Sequence, residues 1–128
     1  MNLDLIHSDV MNSRILLVDD DRLLREVIGE FLSDKGYDVD LADSGEEALR
    51  MFSSGKYHLL LIDQDMKPIN GLQLMNKIKA IDNDVFCLIM VGYANLNKVY
   101  DKLGKNNTDY IIKPFQLMEL LNTLQKCI

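Results

Sequence analysis

Three aspartates and one lysine stand where short apolar runs of the sequence stop. Ile15-Leu16-Leu17-Val18 ends in Asp19-Asp20-Asp21, Leu59-Leu60-Leu61-Ile62 delivers Asp63, and Tyr110-Ile111-Ile112 delivers Lys113. If the strands ending in Asp19 and Asp63 are neighbours, then Asp19, Asp20 and Asp63 share one pocket, and such a cluster is costly unless protons or a cation offset the repulsion. A divalent ion is the simpler neutraliser. Oxygen donors without Cys or His point to Mg2+, which keeps several waters and takes one or two carboxylates together with a phosphate oxygen. Lys113 adds a mobile point charge suited to an anionic oxygen or to an Asp partner. Phosphoryl transfer onto an aspartate is the reaction those parts could carry. A lone Asp after a strand usually caps the next helix or shapes a turn, and Asp21 is read that way. For Asp19, Asp20, Asp63 and Lys113 together that reading fails, because it leaves uncompensated charge at separate strand ends by coincidence.

The elements that must position these groups follow from apolar periodicity. After an N-terminal tail over residues 1–13, short apolar runs alternate with segments whose apolar residues recur every three to four positions, the pattern of an α/β fold. Ile15–Val18 is apolar at consecutive positions, as a strand covered on both faces requires. Leu23, Leu24, Val27, Ile28, Phe31 and Leu32 then predict a helix with Asp21 as N-cap, ending at Lys35-Gly36. Tyr37–Leu41 is a more polar strand, nearer an edge. Ser44 and Glu47 read as a capping box for a second helix. Tyr57–Ile62 is the most hydrophobic strand and belongs in the middle of the sheet. Asn70 caps a third helix, Val85–Val91 is a fourth strand, and Asn95–Leu103 is a weaker fourth helix. Gly104 to Thr108 forms a turn, Tyr110–Ile112 is the fifth strand, and Leu117, Leu120, Leu121 and Leu124 mark the last helix. Crossovers this short imply a doubly wound parallel sheet with right-handed connections, which gathers the C-terminal strand ends into one crevice.

Composition limits the alternatives. The 128 residues suit a single core, with 48% apolar residues and a formal net charge of −6, which disfavours nucleic acid or an anionic membrane as partner of the bulk surface. Cys87 and Cys127 lie far apart and read as reduced thiols. No signal peptide or membrane span is visible, so a soluble, cytoplasmic protein is expected. His7 and His58 have no partner at ligand spacing, and Met51, Met66, Met75, Met90 and Met118 read as packing residues.

Four blocks in order, ILLVDDD at 15–21, LLLIDQDMKPING at 59–71, IMVGYA at 89–94 and DYIIKPF at 109–115, resemble the signature blocks of response-regulator receiver domains of two-component signalling. The resemblance spans residues 14–128 and implies the CheY-like (βα)5 flavodoxin fold with strand order 2-1-3-4-5. It also implies that Asp63 is the phosphoacceptor and that Asp19, Asp20 and Asp63 bind Mg2+ together with the backbone carbonyl of Asp65. Lys113 would contact the phosphoryl group, the Lys113-Pro114 bond would be cis, and Tyr110 would be the aromatic that turns inward on activation. The implied phosphodonor is a sensor histidine kinase or phosphotransfer protein, and the signal would pass through the surface of the fourth helix, fifth strand and fifth helix to an unidentified downstream protein or a homodimer. Such a domain is not an enzyme beyond Mg2+-dependent self-phosphorylation from phosphodonors and autodephosphorylation.

The sequence departs from the family at three places. Val91 stands where a Thr or Ser normally donates its hydroxyl to the phosphoryl group; Met66-Lys67-Pro68 displaces the usual proline by one; and Asn106 replaces a Gly in the turn before the fifth strand. The Val91 departure motivates an alternative, a receiver-fold interaction module with weak or phosphorylation-independent switching. A phosphohydrolase of DxDx(T/V) type matches Asp63-Gln64-Asp65 but fails at Lys67 and lacks a segment for a cap.

Overall fold

The computed structural model describes residues 13–103 and 105–128. The N-terminal tail up to residue 12, with His7, and the turn residue Gly104 lie outside the described residues. The elements run β1 (Arg14–Val18), α1 (Arg22–Asp34), β2 (Asp38–Ala42), α2 (Gly45–Met51), β3 (Leu59–Asp63), α3 (Gly71–Ile81) and β4 (Phe86–Gly92). A 3-10 turn (Tyr93–Asn95), α4 (Leu96–Val99), a second 3-10 turn (Tyr100–Lys102), β5 (Thr108–Lys113) and α5 (Leu117–Cys127) complete the order. All strand pairs are parallel and the sheet order is β2-β1-β3-β4-β5. This is the doubly wound, flavodoxin-like α/β fold that the sequence predicts.

The consecutive apolar runs are explained by two covered faces. Alternate residues Ile15, Leu17, Leu59, Leu61, Leu88 and Met90 pack with Ile28 and Leu32 of α1 and Leu120 and Leu124 of α5. Their neighbours Leu16, Val18, Leu60, Ile62, Cys87, Ile89 and Val91 pack with Ala48, Leu74, Ile78 and Val99 on the other face. All five residues of β3 are buried, in keeping with its central place, while the more polar β2 lies at an edge. Among the described residues no helix is long and apolar enough to cross a membrane.

Several details depart from the sequence reading. Strand β3 starts at Leu59, not Tyr57: Tyr57 is buried and donates its hydroxyl to Asp40 Oδ2 at 2.6 Å, and exposed His58 accepts the Arg14 N–H at Nδ1. In α1, Leu23 and Val27 are exposed, because the sheet takes the stripe of Leu24, Ile28, Phe31 and Leu32 and these two residues sit to its side. The fourth helix is broken into a single turn of α-helix between 3-10 turns; Asn95 and Asn97 are weak helix formers and no side chain caps it. Met118 is exposed rather than a packing residue. Ser44 Oγ accepts the Glu47 N–H, but the Glu47 carboxylate accepts from Asp43 N–H, so the expected box is only half closed at Ser44. The turn before β5 holds Asn106 and Asn107 at φ 52° and 60°, a conformation Asn tolerates. Lys79 of α3 fastens this turn by donating to the carbonyls of Asn106 and Asn107 as well as that of Val85.

Candidate functional site

The β1–β3 register pairs Val18 with Ile62, so Asp19 and Asp63, each the next residue, emerge side by side at the C-terminal edge. One carboxylate oxygen from each of Asp19, Asp20 and Asp63 lies within 4.8 Å of the others, with Asp19 and Asp63 buried and Asp20 exposed. Asp19 is held on three sides. Its N–H donates to the Ala42 carbonyl, its own carbonyl accepts Arg25 Nη1 at 2.7 Å, and Asp19 Oδ1 accepts the Asp21 N–H at 2.9 Å. Asp21 in turn caps α1 by accepting the Leu24 N–H, the role its place in the sequence predicts.

The remaining oxygen, Asp19 Oδ2, is buried without a hydrogen-bond partner. Burial pushes the Asp19 carboxyl up to about 6; the Asp21 N–H opposes the shift, while Asp63 and Asp20 add to it. Burial likewise raises the Asp63 carboxyl above the usual range, against the hydrogen bond and charge of Lys113. A buried acceptor with nothing to accept from, in a group of hard anionic oxygens, fits a Mg2+ ion.

Lys113 reaches this pocket from the end of β5, where it pairs with Gly92 across β4. Its Nζ lies 2.6 Å from Asp63 Oδ1 and 3.5 Å from Asp65 Oδ2. Burial disfavours the Lys113 ammonium, but Asp63, Asp65 and Asp19 together outweigh it and hold its pKa above the ordinary lysine value. The peptide bonds Lys113-Pro114 and Lys67-Pro68 are both cis.

The loop after Asp63 is fixed by close backbone approach. A Cβ on Gly71 would stand 2.8 Å from the Asp63 carbonyl oxygen and from Gln64 Cα, so only glycine lets α3 begin against this loop. Gln64 Oε1 accepts the Leu72 N–H at 2.9 Å, and Asn70 and Gln73 form a reciprocal capping box. Val91 is fully buried in the apolar layer that also contacts Tyr110, and half-buried Tyr110 meets exposed Tyr100 edge to face with ring centroids 6.2 Å apart.

The structure thus brings Asp19, Asp20, Asp63 and Lys113 together, with Asp65 beside Lys113, and leaves Val91 and Tyr110 in the packing beneath. Sequence reasoning missed Arg25, Gln64 and Asn95. Arg25 and Gln64 act through local geometry near motif residues, so their positions one turn into α1 and between two aspartates were the only signals. Asn95, which donates to Asp65 at 3.3 Å from thirty residues away, had none. A groove of about 270 Å3 opens beside this contact, lined in part by Lys67, Asn95 and Lys98.

Comparisons with known proteins agree with this geometry. The response regulator receiver domain family matches residues 15–125. The response regulator MprA of Mycobacterium tuberculosis (strain H37Rv) is 37% identical over 111 residues, covering 87% of this chain and 48% of that protein. The chain therefore spans about half the length of the curated relatives it matches. Among solved structures, the response regulator protein TrrA from Thermotoga maritima, in complex with Mg2+-BeF, aligns with TM-score 0.80 and 33% identity over 91% of this chain and 99% of that one. The chemotaxis response regulator CheY4 of Vibrio cholerae shares the fold with TM-score 0.81 at 23% identity, over 91% of this chain and 99% of that one.

Proposed function

Because the chain belongs to the response regulator receiver domain family of two-component signalling, we propose that it accepts a phosphoryl group on Asp63 from a histidine kinase or phosphotransfer protein. The observation that carries this reading is the 2.6 Å contact of Lys113 Nζ with Asp63 Oδ1 inside a pocket whose Asp19 Oδ2 is buried and unpartnered. A carboxylate oxygen of Asp63 attacks phosphorus, the bond from phosphorus to the donor nitrogen breaks, and the donor imidazole leaves with that electron pair. Lys113 would meet the new anionic oxygens, the Asp21 N–H holds the Asp19 carboxylate through Oδ1, and Arg25 fixes the Asp19 backbone through its carbonyl. Asp19, Asp20 and Asp63, with the Asp65 carbonyl, are the groups that would hold Mg2+. When bound, Mg2+ supplies charge neutralisation for the incoming phosphoryl oxygens.

Output runs through the surface of α4, β5 and α5, where Tyr100 and Tyr110 meet, toward a downstream protein or a second copy. Val91 favours a second reading, an interaction module of the same fold in which phosphorylation moves this surface little, since its side chain cannot donate to a phosphoryl oxygen. One labelling experiment tests the phosphoacceptor reading. Native protein incubated with acetyl phosphate and Mg2+ is expected to gain the mass of one phosphoryl group, and Asp63→Asn to gain none. Equal labelling of Asp63→Asn, or no labelling of the native protein by this donor or by a phosphorylated phosphotransfer domain, overturns the phosphoacceptor reading.

A further inference from the structure

Asp65 uses its two carboxylate oxygens on two different elements. Oδ2 lies 3.5 Å from Lys113 Nζ at the end of β5, and Oδ1 accepts Nδ2 of Asn95 at 3.3 Å. The direction of the second bond is fixed by chemistry, because an ionised carboxylate only accepts and the Asn amide nitrogen only donates. Among the described residues this is the one side-chain hydrogen bond joining the loop after Asp63 to the segment after β4. Asn95 is also the N-cap residue of α4, yet its side chain caps nothing there. Its backbone, at φ −104° and ψ 1°, lies outside the extended region that a capping residue adopts. The short helix it precedes has no other side-chain cap, and 3-10 turns bound it on both sides.

Resting on the phosphoacceptor reading of Asp63, we propose that Asp65 and Asn95 form a relay in which Asn95 is either tied to Asp65 or released to cap α4. Lys113 is the shared cation of Asp63 and Asp65. A phosphoryl group on Asp63 adds negative charge beside Asp65 and draws Lys113 to the new oxygens. Asp65 then loses its cation and meets like charge, which weakens its hold on Asn95. Asn is among the best N-cap residues, and an N-cap side-chain oxygen accepts from the N–H of the second or third helical residue, which for Asn95 are Asn97 and Lys98. Capping lengthens and straightens α4, carrying the chemical state of Asp63 to the surface that bears Tyr100. The device needs no hydroxyl at Val91.

The test compares native protein, Asn95→Ala and Asn95→Asp by NMR, without and with saturating Mg2+ and beryllofluoride, alongside mass spectrometry after acetyl phosphate treatment. Native protein is expected to shift the amides of Asn97 and Lys98 on addition of the mimic. Asn95→Ala is expected to label normally but to lose at least half of that shift. Asn95→Asp keeps a capping oxygen while being repelled by Asp65, so its Asn97 and Lys98 amides are expected near the mimic-bound positions before any mimic is added. Native-like shifts in Asn95→Ala, or native resting positions in Asn95→Asp, overturn the relay while normal labelling leaves the phosphoacceptor reading standing. Absence of labelling in the native protein strikes that reading instead.

Discussion

The ammonium of Lys113 sits 2.6 Å from Asp63 Oδ1, although fifty residues and one intervening strand, β4, separate them. The pair is largely withdrawn from water, with the Asp63 side chain 6% and that of Lys113 24% exposed. Removing one partner of such a pair costs more than the pair contributes, because the other charge is left desolvated. Lys113→Met is therefore expected to raise the Asp63 pKa further and to destabilise the metal-free protein at pH 7 by about 1–3 kcal/mol. Chemical denaturation at pH 7 and at pH 5 checks this. The loss should shrink at the lower pH, where Asp63 in the variant takes up a proton; an equal loss at both values places the cost in packing instead.

Asp19 makes stability depend on pH in an unusual direction for a carboxylate. Its folded value is about 6, above the ordinary 3.8, so the native state keeps the proton to higher pH than the unfolded chain does. Stability of the metal-free protein is expected to fall as pH rises from about 4 to 6, and a displacement of that size corresponds to about 3 kcal/mol. The raised Asp63 carboxyl pushes the same way. Asn at position 19 has no proton to lose, so Asp19→Asn should flatten this slope and stabilise the metal-free protein at neutral pH. Urea titrations in EDTA across pH 4 to 7 measure it, and an unchanged slope in Asp19→Asn removes Asp19 as its source.

Mg2+ should reverse that loss, since the ion binds the charged form of the pocket. Asp20 is the exposed member of the triad and offers an anionic oxygen within 4.8 Å of those of Asp19 and Asp63. Asp20→Asn keeps the shape and removes one charge, and it is expected to weaken Mg2+ binding about tenfold from a millimolar to submillimolar range. Isothermal calorimetry gives the comparison, and unchanged affinity would place the metal elsewhere.

The strands and the acidic pocket were legible because their causes are local. Ile15–Val18 and Leu59–Ile62 are apolar at consecutive positions, which only a sheet covered on both faces satisfies, and the residues that follow them fall at one edge once the pairing is parallel. Helix α4 was less legible, since Leu96, Val99 and Leu103 keep helical spacing while the poor helix formers between them break the run. The exposure of Leu23 and Val27 depends on where the sheet surface lies relative to α1, which periodicity alone leaves open by one helical step. The contact of Asp65 with Asn95 arises from loop approach and carries no spacing signature.

Val91 poses the sharpest test of how the pocket reaches the surface. It has no solvent exposure and packs in the layer that holds Val99 and Leu103, with Tyr110 against it. Its methyl groups serve that layer well but cannot donate to an anionic oxygen. Thr is nearly the same shape, so Val91→Thr introduces one hydroxyl into an apolar environment with little change of volume. Left without a partner, that hydroxyl is expected to cost about 1–3 kcal/mol in the unmodified protein, read as a lowered urea midpoint. A phosphoryl mimic on Asp63 supplies the missing acceptor, so the stability gap between variant and native protein should narrow when Mg2+ and beryllofluoride are added. The same hydrogen bond gives the end of β4 a pull it lacks in the native chain, and larger mimic-induced shifts at Tyr110 are expected in the variant. If the gap stays constant, the hydroxyl does not reach the phosphoryl site. If the native protein already shows shifts as large as those of the variant, coupling does not depend on a donor at this position, and the reading of the domain as a weakly switching interaction module loses the observation that favours it.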